Sequence, residues 1–303
     1  MQKIAHKIKH ELTRSSLRAA IILSIIIAGS IEAARTPVTR TQHKTNTKRQ
    51  GIQRPAPPAK IPGDLVSDFT LDGKIPVQHW YMNDTYAPSK PIKFHHSLVN
   101  KLIHDAANRK EWYYGKMDRF LYRALDNFTE HVKGKSVAIL GSRVPWYESI
   151  ILHYGGKPTT IEYNKLVSED PRIKTMTVAE YEQQPIKFDV LVSLSSFEHD
   201  GLGRYGDPIN PNGDLGAMER CKQMLNPGGI LILAVPVGPD CLVWNAHRIY
   251  GKIRVPMLLN GWRVLGYFGD SPTIEEDLET HTEVGHYKFQ PVFVLEPAHG
   301  DKS

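Results

Sequence analysis

Short apolar runs alternate with helical segments between residues 136 and 235, and this alternation constrains the fold more than any other feature of the chain. The predicted strands are five apolar stretches, at 136–140, 159–163, near Thr175, 188–193 and 230–235. The predicted helices between them lie at 145–154, 178–183 and 214–225. Strands separated by helices at this spacing are typical of parallel βαβ units, in which ligands bind at the carboxyl ends of the strands.

The flanking segments are less regular. Residues 95–132 carry apolar side chains at helical spacings of three and four, and Gly134 is placed to end this helical segment. Residues 64–94 contain Pro, Gly and scattered aromatic residues and give no firm prediction. Residues 64–134 are therefore expected to form an irregular and helical lead-in. Two further candidate strands, 262–268 and 291–295, lie near the C-terminus.

The basic character of the chain is confined to its N-terminus. The net charge is +6 and the isoelectric point is about 9.1. Residues 1–63 hold 12 Lys and Arg against Glu11 and Glu32, which leaves 26 basic and 30 acidic residues in 64–303. The folded region is therefore net acidic, which argues against a nucleic-acid partner.

The first 63 residues divide into three predicted segments. Residues 1–18 form a basic segment, 19–34 an apolar signal anchor or signal peptide, and 35–63 a flexible, basic, Pro-containing stem. The long basic flank favours an uncleaved anchor that attaches the protein to a membrane. We expect a location in the secretory pathway, in the membrane or lumen of the endoplasmic reticulum or Golgi, or secretion. A mitochondrial presequence is the alternative.

Two residue types bear on the compartment without deciding it. Asn83 and Asn127 each begin an acceptor triplet for N-glycosylation, which operates in the secretory lumen, although such triplets also arise by chance. Cys221 and Cys241 are the two cysteines of the chain, so a disulfide scaffold is excluded and a single bridge is left open.

One pair of residues points to a nucleoside ligand. Gly141 ends the first predicted strand of the α/β region, and Glu162 stands near the end of the second, 21 residues later. In nucleotide-binding α/β sheets an acid about 20 residues after the glycine loop accepts hydrogen bonds from the ribose hydroxyls. An acid near a strand end also occurs without any ligand, so a purely structural role for Glu162 stays open.

Four sequence segments resemble the class I S-adenosylmethionine-dependent methyltransferases. They are VAILG at 137–141, TIEYN at 160–164, FDVLVSLSSFEH at 188–199 and MLNPGGILILAVP at 224–236. The resemblance covers residues 135–295 and implies a methyltransferase-like domain over 135–297. Its fold class is α/β, a Rossmann-like three-layer sandwich with a mostly parallel seven-stranded sheet and a C-terminal antiparallel strand. The implied cofactor is S-adenosylmethionine, with expected contacts from Gly141, Ser142, Glu162, Ser193 and Ser195.

Three longer motifs narrow the resemblance. EHDGLGRYGDP at 198–208, NGDLGAM at 212–218 and WNAHRIYG at 244–251 are similar to an uncharacterised nematode-type domain-of-unknown-function family that is itself methyltransferase-like. That family implies no substrate.

The glycine loop departs from the usual methyltransferase pattern. Ile139 stands where an acid is usual, and Ser142 to Pro145 stand where further glycines are usual. Arg143 in this loop either pairs with the cofactor carboxylate or faces solvent. A dinucleotide enzyme is disfavoured because the chain lacks the Gly-x-Gly-x-x-Gly pattern, and no P-loop, His-Glu-x-x-His or Cys-x-x-Cys pattern occurs.

Two polar loops after the fourth and fifth predicted strands are expected to bind and activate an acceptor. His199 is the candidate general base, with Glu198 or Asp200 to orient it and Arg204 beside them. The expected acceptor contacts are Tyr205, Trp244, His247 and Arg248. The alternative is that the first loop caps backbone groups and that Trp244 is a core residue. No ligand spacing indicates a metal site.

The sequence thus predicts a S-adenosylmethionine-dependent methyltransferase, acting on a hydroxyl of a glycan or a small hydroxylated acceptor. The alternative is a non-catalytic binding protein of the secretory pathway that keeps the methyltransferase fold, because the glycine loop is degraded. A glycosyltransferase is less favoured, since no Asp-x-Asp motif is present.

Overall fold

A computed structural model describes residues 56–85, 91–112, 114–285 and 288–298. The predicted segments 1–18 and 19–34, and most of the stem 35–63, lie outside the described residues. Among the helices that are described, none has the length and apolar character that a membrane crossing requires.

The described residues form helices and strands in alternation along most of the chain. The helices are α1 Val66–Thr70, α2 His96–Ala107, α3 Lys116–Asn127, α4 Thr129–Val132, α5 Trp146–His153, α6 Val178–Gln183, α7 Gly213–Met224, α8 Arg254–Leu258 and α9 Ile274–Thr280, with 3₁₀ turns at Gly63–Leu65 and Phe197–His199. The strands are β1 Val77–His79, β2 Ile92–Phe94, β3 Ser136–Leu140, β4 Lys157–Glu162, β5 Leu166–Ser168, β6 Lys174–Thr177, β7 Phe188–Leu194, β8 Leu225–Ala234, β9 Cys241–Trp244, β10 His247–Ile249, β11 Trp262–Phe268 and β12 Val292–Pro297.

Seven of these strands form the main sheet, in the order β11-β12-β8-β7-β3-β4-β6. All neighbours are parallel except β12, which runs antiparallel to both β8 and β11. From β3 the chain crosses through α5 to β4 on one side, and from β7 it crosses through α7 to β8 on the other. Right-handed crossovers in opposite directions place α5 and α7 on opposite faces of the sheet. The predicted three-layer α/β fold with a C-terminal antiparallel strand is confirmed.

The boundaries of several elements follow the sequence pattern closely, and the predicted helical segment 95–132 contains three helices. Helix α6 and strand β11 have the predicted ends. The helical segment predicted over 95–132 is divided into α2, α3 and α4, because the backbone leaves the helix at Arg109 (φ 52°) and Gly115 (φ 55°). Trp112 therefore lies between two helices.

The Asn-Pro-Gly-Gly segment at 226–229, between the predicted helix 214–225 and the predicted strand 230–235, lies inside β8. Phe188 pairs with Leu225, but Val190 pairs with Ile230, so four residues of β8 bulge out opposite one residue of β7. Gly228 in this bulge has φ 76°, a conformation that glycine adopts without a steric penalty.

Residues 64–94 contain elements that the sequence did not predict. Strand β1 pairs in parallel with β9, and β9 pairs antiparallel with β10, which gives a small second sheet. Strand β2 pairs with β5. A small apolar cluster holds this region together and consists of Phe69, Ile75, Leu202, Leu242 and Trp244. The lead-in segment thus packs against the loops that follow β7 and β8.

We expect Gly213→Ala to destabilise the protein by disturbing the packing of the amino end of α7 against the loop after β7. A Cβ at Gly213, where α7 begins, would lie 2.6 Å from the backbone carbonyl of Asp200. Overpacking against backbone costs about 1–3 kcal/mol. Gly63→Ala is the matched control, since a Cβ there has nothing within 4 Å. Equal free energies of unfolding for the two variants in urea would contradict the packing described.

Candidate functional site

An open cleft of about 530 Å³ lies at the carboxyl ends of β3, β4 and β7. The strand order reverses between β3 and β7, and open α/β sheets bind ligands at such a switch point. Residues of the strand ends, of the first turn of α5 and of the segment before α3 line the cleft: Trp112, Tyr114, Gly141, Ser142, Arg143, Val144, Trp146, Tyr147, Glu162, Leu194, Ser195 and Ser196.

The loop after β3 forms the floor of the cleft. Gly141 has φ 83° and donates its N–H to the carbonyl of Ile161 on β4 at 3.1 Å. The hydroxyl of Ser142 lies 3.0 Å from the carbonyl of Val144 and 3.1 Å from Oε2 of Glu148. This loop leads directly into α5, whose amino end therefore faces the cleft.

Glu162 closes the floor from the end of β4. Its side chain lines the cleft although the residue is only 1% exposed, and its Oε1 accepts the N–H of Asn164 at 3.2 Å. The structure thus brings Gly141, Ser142 and Glu162 together in one cleft. Their role as cofactor contacts stays a prediction.

Glu148 is a buried carboxyl beneath the same loop and is not among the site residues predicted from the sequence. It lies in the first turn of α5 and is 0% exposed. Oε1 accepts the hydroxyl of Thr160 at 2.7 Å, and Oε2 accepts that of Ser142. Burial raises the pKa of Glu148 to about 7, against the lowering effect of these hydrogen bonds. The sequence signal for this residue was its position in a mostly apolar segment, since Glu148 lies within Trp146 to Ile151, a run of six residues that are all buried.

The other wall of the cleft is the loop after β7. Ser195 lines it with φ 52°, and its hydroxyl donates to Oε1 of Glu198 at 2.7 Å. Gln290 donates its Nε2 to the same hydroxyl at 3.2 Å. Burial raises the pKa of Glu198 to about 7. Ser193 is buried within β7 and does not belong to the cleft lining.

His199, the candidate base, is buried and does not belong to the cleft lining. Its Nδ1 lies 2.6 Å from the carbonyl of Ala246, which fixes Nδ1–H as a donor. Its Nε2 is 3.6 Å from Oε1 of Glu198. Burial, with Arg204 nearby, lowers the pKa of His199 well below its usual value, and burial lowers that of His247 to about 4. Asp200 is buried in the same loop.

The two arginines of the predicted acceptor site hold the protein's own loops. Arg204 donates from Nε to Oδ2 of Asp84 at 2.7 Å. Arg248 is 1% exposed and donates to the carbonyls of Asp200 at 2.6 Å and Pro211 at 3.1 Å. Neither side chain belongs to the cleft lining.

The aromatic residues expected at the acceptor site are core residues. Tyr205 and Trp244 are both fully buried. The Trp244 ring meets Phe69 edge-on with centroids 5.2 Å apart, and its Nε1 donates to the carbonyl of Pro58 at 3.2 Å. The open alternative for Trp244, a core position, is the one that the structure shows.

Two aromatic residues of the cleft were missed because they lie in the lead-in. Trp112 is 43% exposed and its ring lies 5.9 Å from that of Trp146, while Tyr114 follows it in the lining. The backbone N–H of Trp112 donates to Oδ2 of Asp118 at 2.7 Å, which fixes the segment on α3. The contact of this segment with the glycine loop arises from tertiary packing, and no local sequence pattern indicates it.

The remaining predictions concern metals, cysteines and glycans. No cluster of three or more His, Cys, Asp or Glu able to hold a metal occurs within the described residues. Cys221 and Cys241 are free, buried thiols. Asn83 and Asn127 are both exposed, and the amide of Asn127 donates to the carbonyl of Arg123 at 2.8 Å.

Residues 134–294, more than half of the chain, match the family described as Caenorhabditis protein of unknown function, DUF268. The chain belongs to this family. No curated protein matches it.

Several solved structures are similar to this DUF268 protein. TehB from Haemophilus influenzae is 13% identical over 58% of this chain and 62% of its own, with a TM-score of 0.38, so less than two thirds of TehB is covered. The 1,6-didemethyltoxoflavin-N1-methyltransferase from Burkholderia thailandensis, solved with S-adenosylhomocysteine, is 12% identical over 73% of this chain and 100% of its own, with a TM-score of 0.41. The CcbJ methyltransferase from Streptomyces caelestis is 11% identical over 64% of this chain and 96% of its own, with a TM-score of 0.38. The three-layer α/β fold of the DUF268 protein is shown by its own strand order.

We expect Arg248→Met to destabilise the protein without weakening ligand binding in the cleft. The substitution leaves the carbonyls of Asp200 and Pro211 without their donor and removes the 3.7 Å ion pair between Arg248 and Asp214. Asp214 keeps its 2.7 Å pair with Arg254, so the main loss comes from the buried carbonyls left without a donor, at about 1–3 kcal/mol each. Urea unfolding of the full chain checks this. Arg263→Met, at an exposed pair with Glu296, is the control and should cost under about 1 kcal/mol. Unchanged stability together with lost ligand affinity would restore Arg248 as a binding residue.

Proposed function

We propose that this protein is a S-adenosylmethionine-dependent methyltransferase that methylates a hydroxyl group of a glycan or small hydroxylated acceptor. The observation that carries the proposal is the meeting of Gly141 and Glu162 in one open cleft at the switch point of a methyltransferase-type sheet. A carboxylate next to a close-approach glycine suits a nucleoside with a ribose diol.

The lining residues fit the cofactor. The Glu162 carboxylate would accept hydrogen bonds from the ribose hydroxyls, Gly141 would allow close approach, and Trp112 with Tyr114 offers aromatic surface. Arg143 in the same loop would pair with the cofactor carboxylate. When bound, S-adenosylmethionine supplies an electrophilic methyl group on a sulfonium.

The acceptor would lie against the loop after β7. A hydroxyl must lose its proton as it is methylated, and Ser195 stands in the cleft with its own hydroxyl donating to Glu198. Glu198 can take up a proton from Ser195 Oγ while Ser195 takes the acceptor's proton. Burial raises the pKa of Glu198 to about 7, which suits a base at neutral pH. In this scheme Glu198 replaces His199 as the base.

The proposed setting is the membrane or lumen of the secretory pathway. The basic segment 1–18 and the apolar segment 19–34 support this setting through their composition.

A second function, a non-catalytic binding protein with the methyltransferase fold, is favoured by one observation. His199, Arg204, His247 and Arg248 are buried in contacts with the protein itself and do not line the cleft. Methyl transfer then depends on Ser195 and Glu198 alone, which makes the two functions separable by experiment.

Glu162→Gln tests the cofactor proposal. We expect the affinity of the full chain for S-adenosylmethionine, measured by calorimetry in detergent, to fall about 10- to 100-fold, because charge-assisted hydrogen bonds worth about 1.5–3 kcal/mol become neutral or unpaired. Glu279→Gln, on the exposed side of α9, is the matched control. Absence of wild-type binding at millimolar ligand, or binding unchanged by Glu162→Gln, would refute the cofactor assignment.

Methyl-labelled S-adenosylmethionine distinguishes the two functions. Label transferred to a panel of oligosaccharides and polyols, and lost in Glu198→Gln while cofactor binding persists, supports the enzyme. Cofactor binding without transfer to any acceptor supports the binding protein.

A further inference from the structure

We propose that Glu148 is a positioning residue of the cleft, whose ionised carboxylate makes the cleft prefer a cationic sulfonium nucleoside over a neutral one. The proposal rests on the proposed function and assigns this buried carboxyl a part in it. Glu148 does not line the cleft and acts through the residues that it holds.

The carboxyl of Glu148 joins the two strand ends that form the cleft floor. One oxygen accepts the hydroxyl of Ser142, which follows Gly141 after β3. The other accepts the hydroxyl of Thr160, which lies two residues before Glu162 on β4. Side chains two residues apart on a strand point to the same face, so Thr160 and Glu162 lie on one side of β4. Glu148 thus ties the glycine loop to the strand that presents Glu162.

Among the described residues, this buried carboxyl has hydroxyl partners but no cationic partner. The groups that affect its pKa are the surrounding protein, which excludes water, then the hydroxyl of Thr160, its own backbone and the hydroxyl of Ser142, and none of them is a Lys or Arg. Two neutral hydroxyls satisfy its hydrogen bonds but do not neutralise its charge. A cation in the adjoining cleft would therefore stabilise the ionised form.

The charged groups of the described residues around α5 do not supply that cation. Arg143, in the loop that leads into α5, lines the cleft but is exposed, and it is not among the groups that affect the pKa of Glu148. On α2, Lys101 is 64% exposed and pairs with Asp105 at 2.8 Å, and His96 pairs with Asp170 at 2.8 Å. His104 on α2 lies 3.3 Å from the amide of Asn108. On β4, Lys157 is exposed and Glu162 is itself acidic, and β3 carries no charged residue. A sulfonium nucleoside with its amino group brings the missing positive charge.

The sign of the pH dependence follows from the protonation of this carboxyl. Burial raises the pKa of Glu148 to about 7, so the group is mostly neutral at pH 6 and mostly ionised at pH 7.5. A cationic ligand binds the ionised form better, so its affinity rises over this interval. Since the ionised fraction grows about eightfold, eightfold is the largest gain that this one group can give.

The test compares wild type with Glu148→Gln, using S-adenosylmethionine as the cationic probe and 5′-methylthioadenosine as the neutral one. Affinities of the full chain are measured by calorimetry at pH 6.0 and 7.5. Gln retains the size and an acceptor for one of the two hydroxyls, so the loop is expected to stay in place. We expect the ratio of wild-type to Glu148→Gln affinity for S-adenosylmethionine to rise several-fold, up to eightfold, between pH 6.0 and pH 7.5. The same ratio for 5′-methylthioadenosine should stay constant over this interval.

Proton release supplies a readout that needs no variant. At pH 6.5, calorimetry of wild type in buffers of different ionisation enthalpy should show net release of a fraction of one proton on binding of S-adenosylmethionine, and none on binding of 5′-methylthioadenosine. Proton uptake, or equal release with both probes, would overturn the proposal.

Glu198→Gln locates the titrating group, because burial also raises the pKa of Glu198 to about 7. If Glu198→Gln removes the pH dependence and Glu148→Gln keeps it, the assignment to Glu148 is wrong. If wild type binds S-adenosylmethionine with the same affinity at both pH values, the role of Glu148 fails while the cofactor proposal stands. If wild type binds neither probe, the proposed function fails and the role of Glu148 falls with it.

Discussion

Asp189 holds the three central strands of the sheet at their amino ends, and the position of the cleft depends on it. Its Oδ2 accepts both the backbone N–H of Ser136 on β3 at 2.9 Å and the Ser136 hydroxyl at 2.8 Å, and its Oδ1 accepts Nδ2 of Asn226 on β8 at 2.9 Å. The Ser136 hydroxyl accepts the N–H of Asp189 in return. A slip of one residue would turn every side chain of a strand to the opposite face, so this cluster determines where β3 and β7 end. Gly141 and Ser195 then meet at one edge.

The centre of the main sheet could be predicted because β3, β4, β7 and the inner part of β8 are almost fully buried and therefore read as local apolar runs. The runs at 188–193 and 230–235 became β7 and the inner part of β8. The second sheet had no such signal. Strand β1 is three residues long and pairs with β9 more than 160 residues away, at Val77 and Leu242. Pairing of this kind depends on tertiary packing, which a single sequence does not encode locally.

The cleft floor was predictable for the same reason, since Gly141 and Glu162 come directly at strand ends. The contacts of the two acceptor loops, after β7 and β8, were not predictable. Their polar residues were expected to face a ligand, but the lead-in and the end of the stem cover them. Asp84 pairs with Arg204, Asn245 binds the backbone of Met82, and Trp244 donates to Pro58 in the stem. Polarity in a sequence shows that a residue needs a partner, and it does not show whether the partner is a ligand or another part of the chain.

Two buried carboxyls of this protein show what distinguishes a structural acid from one beside a ligand cleft. Asp214 is fully buried, and although burial works to raise its pKa, Arg248 and Arg254 keep that pKa below its usual value. Glu148 is equally buried, but its side-chain partners among the described residues are the hydroxyls of Ser142 and Thr160, and burial raises its pKa to about 7. A buried carboxyl without a counter-charge destabilises the fold, and perturbed groups of this kind cluster at functional sites. In the strand before the glycine loop, Ile139 replaces the acid that is usual in methyltransferases. The carboxyl of Glu148 reaches this loop from α5 instead. A cationic cofactor in the cleft would supply the positive charge that Asp214 receives from its arginines.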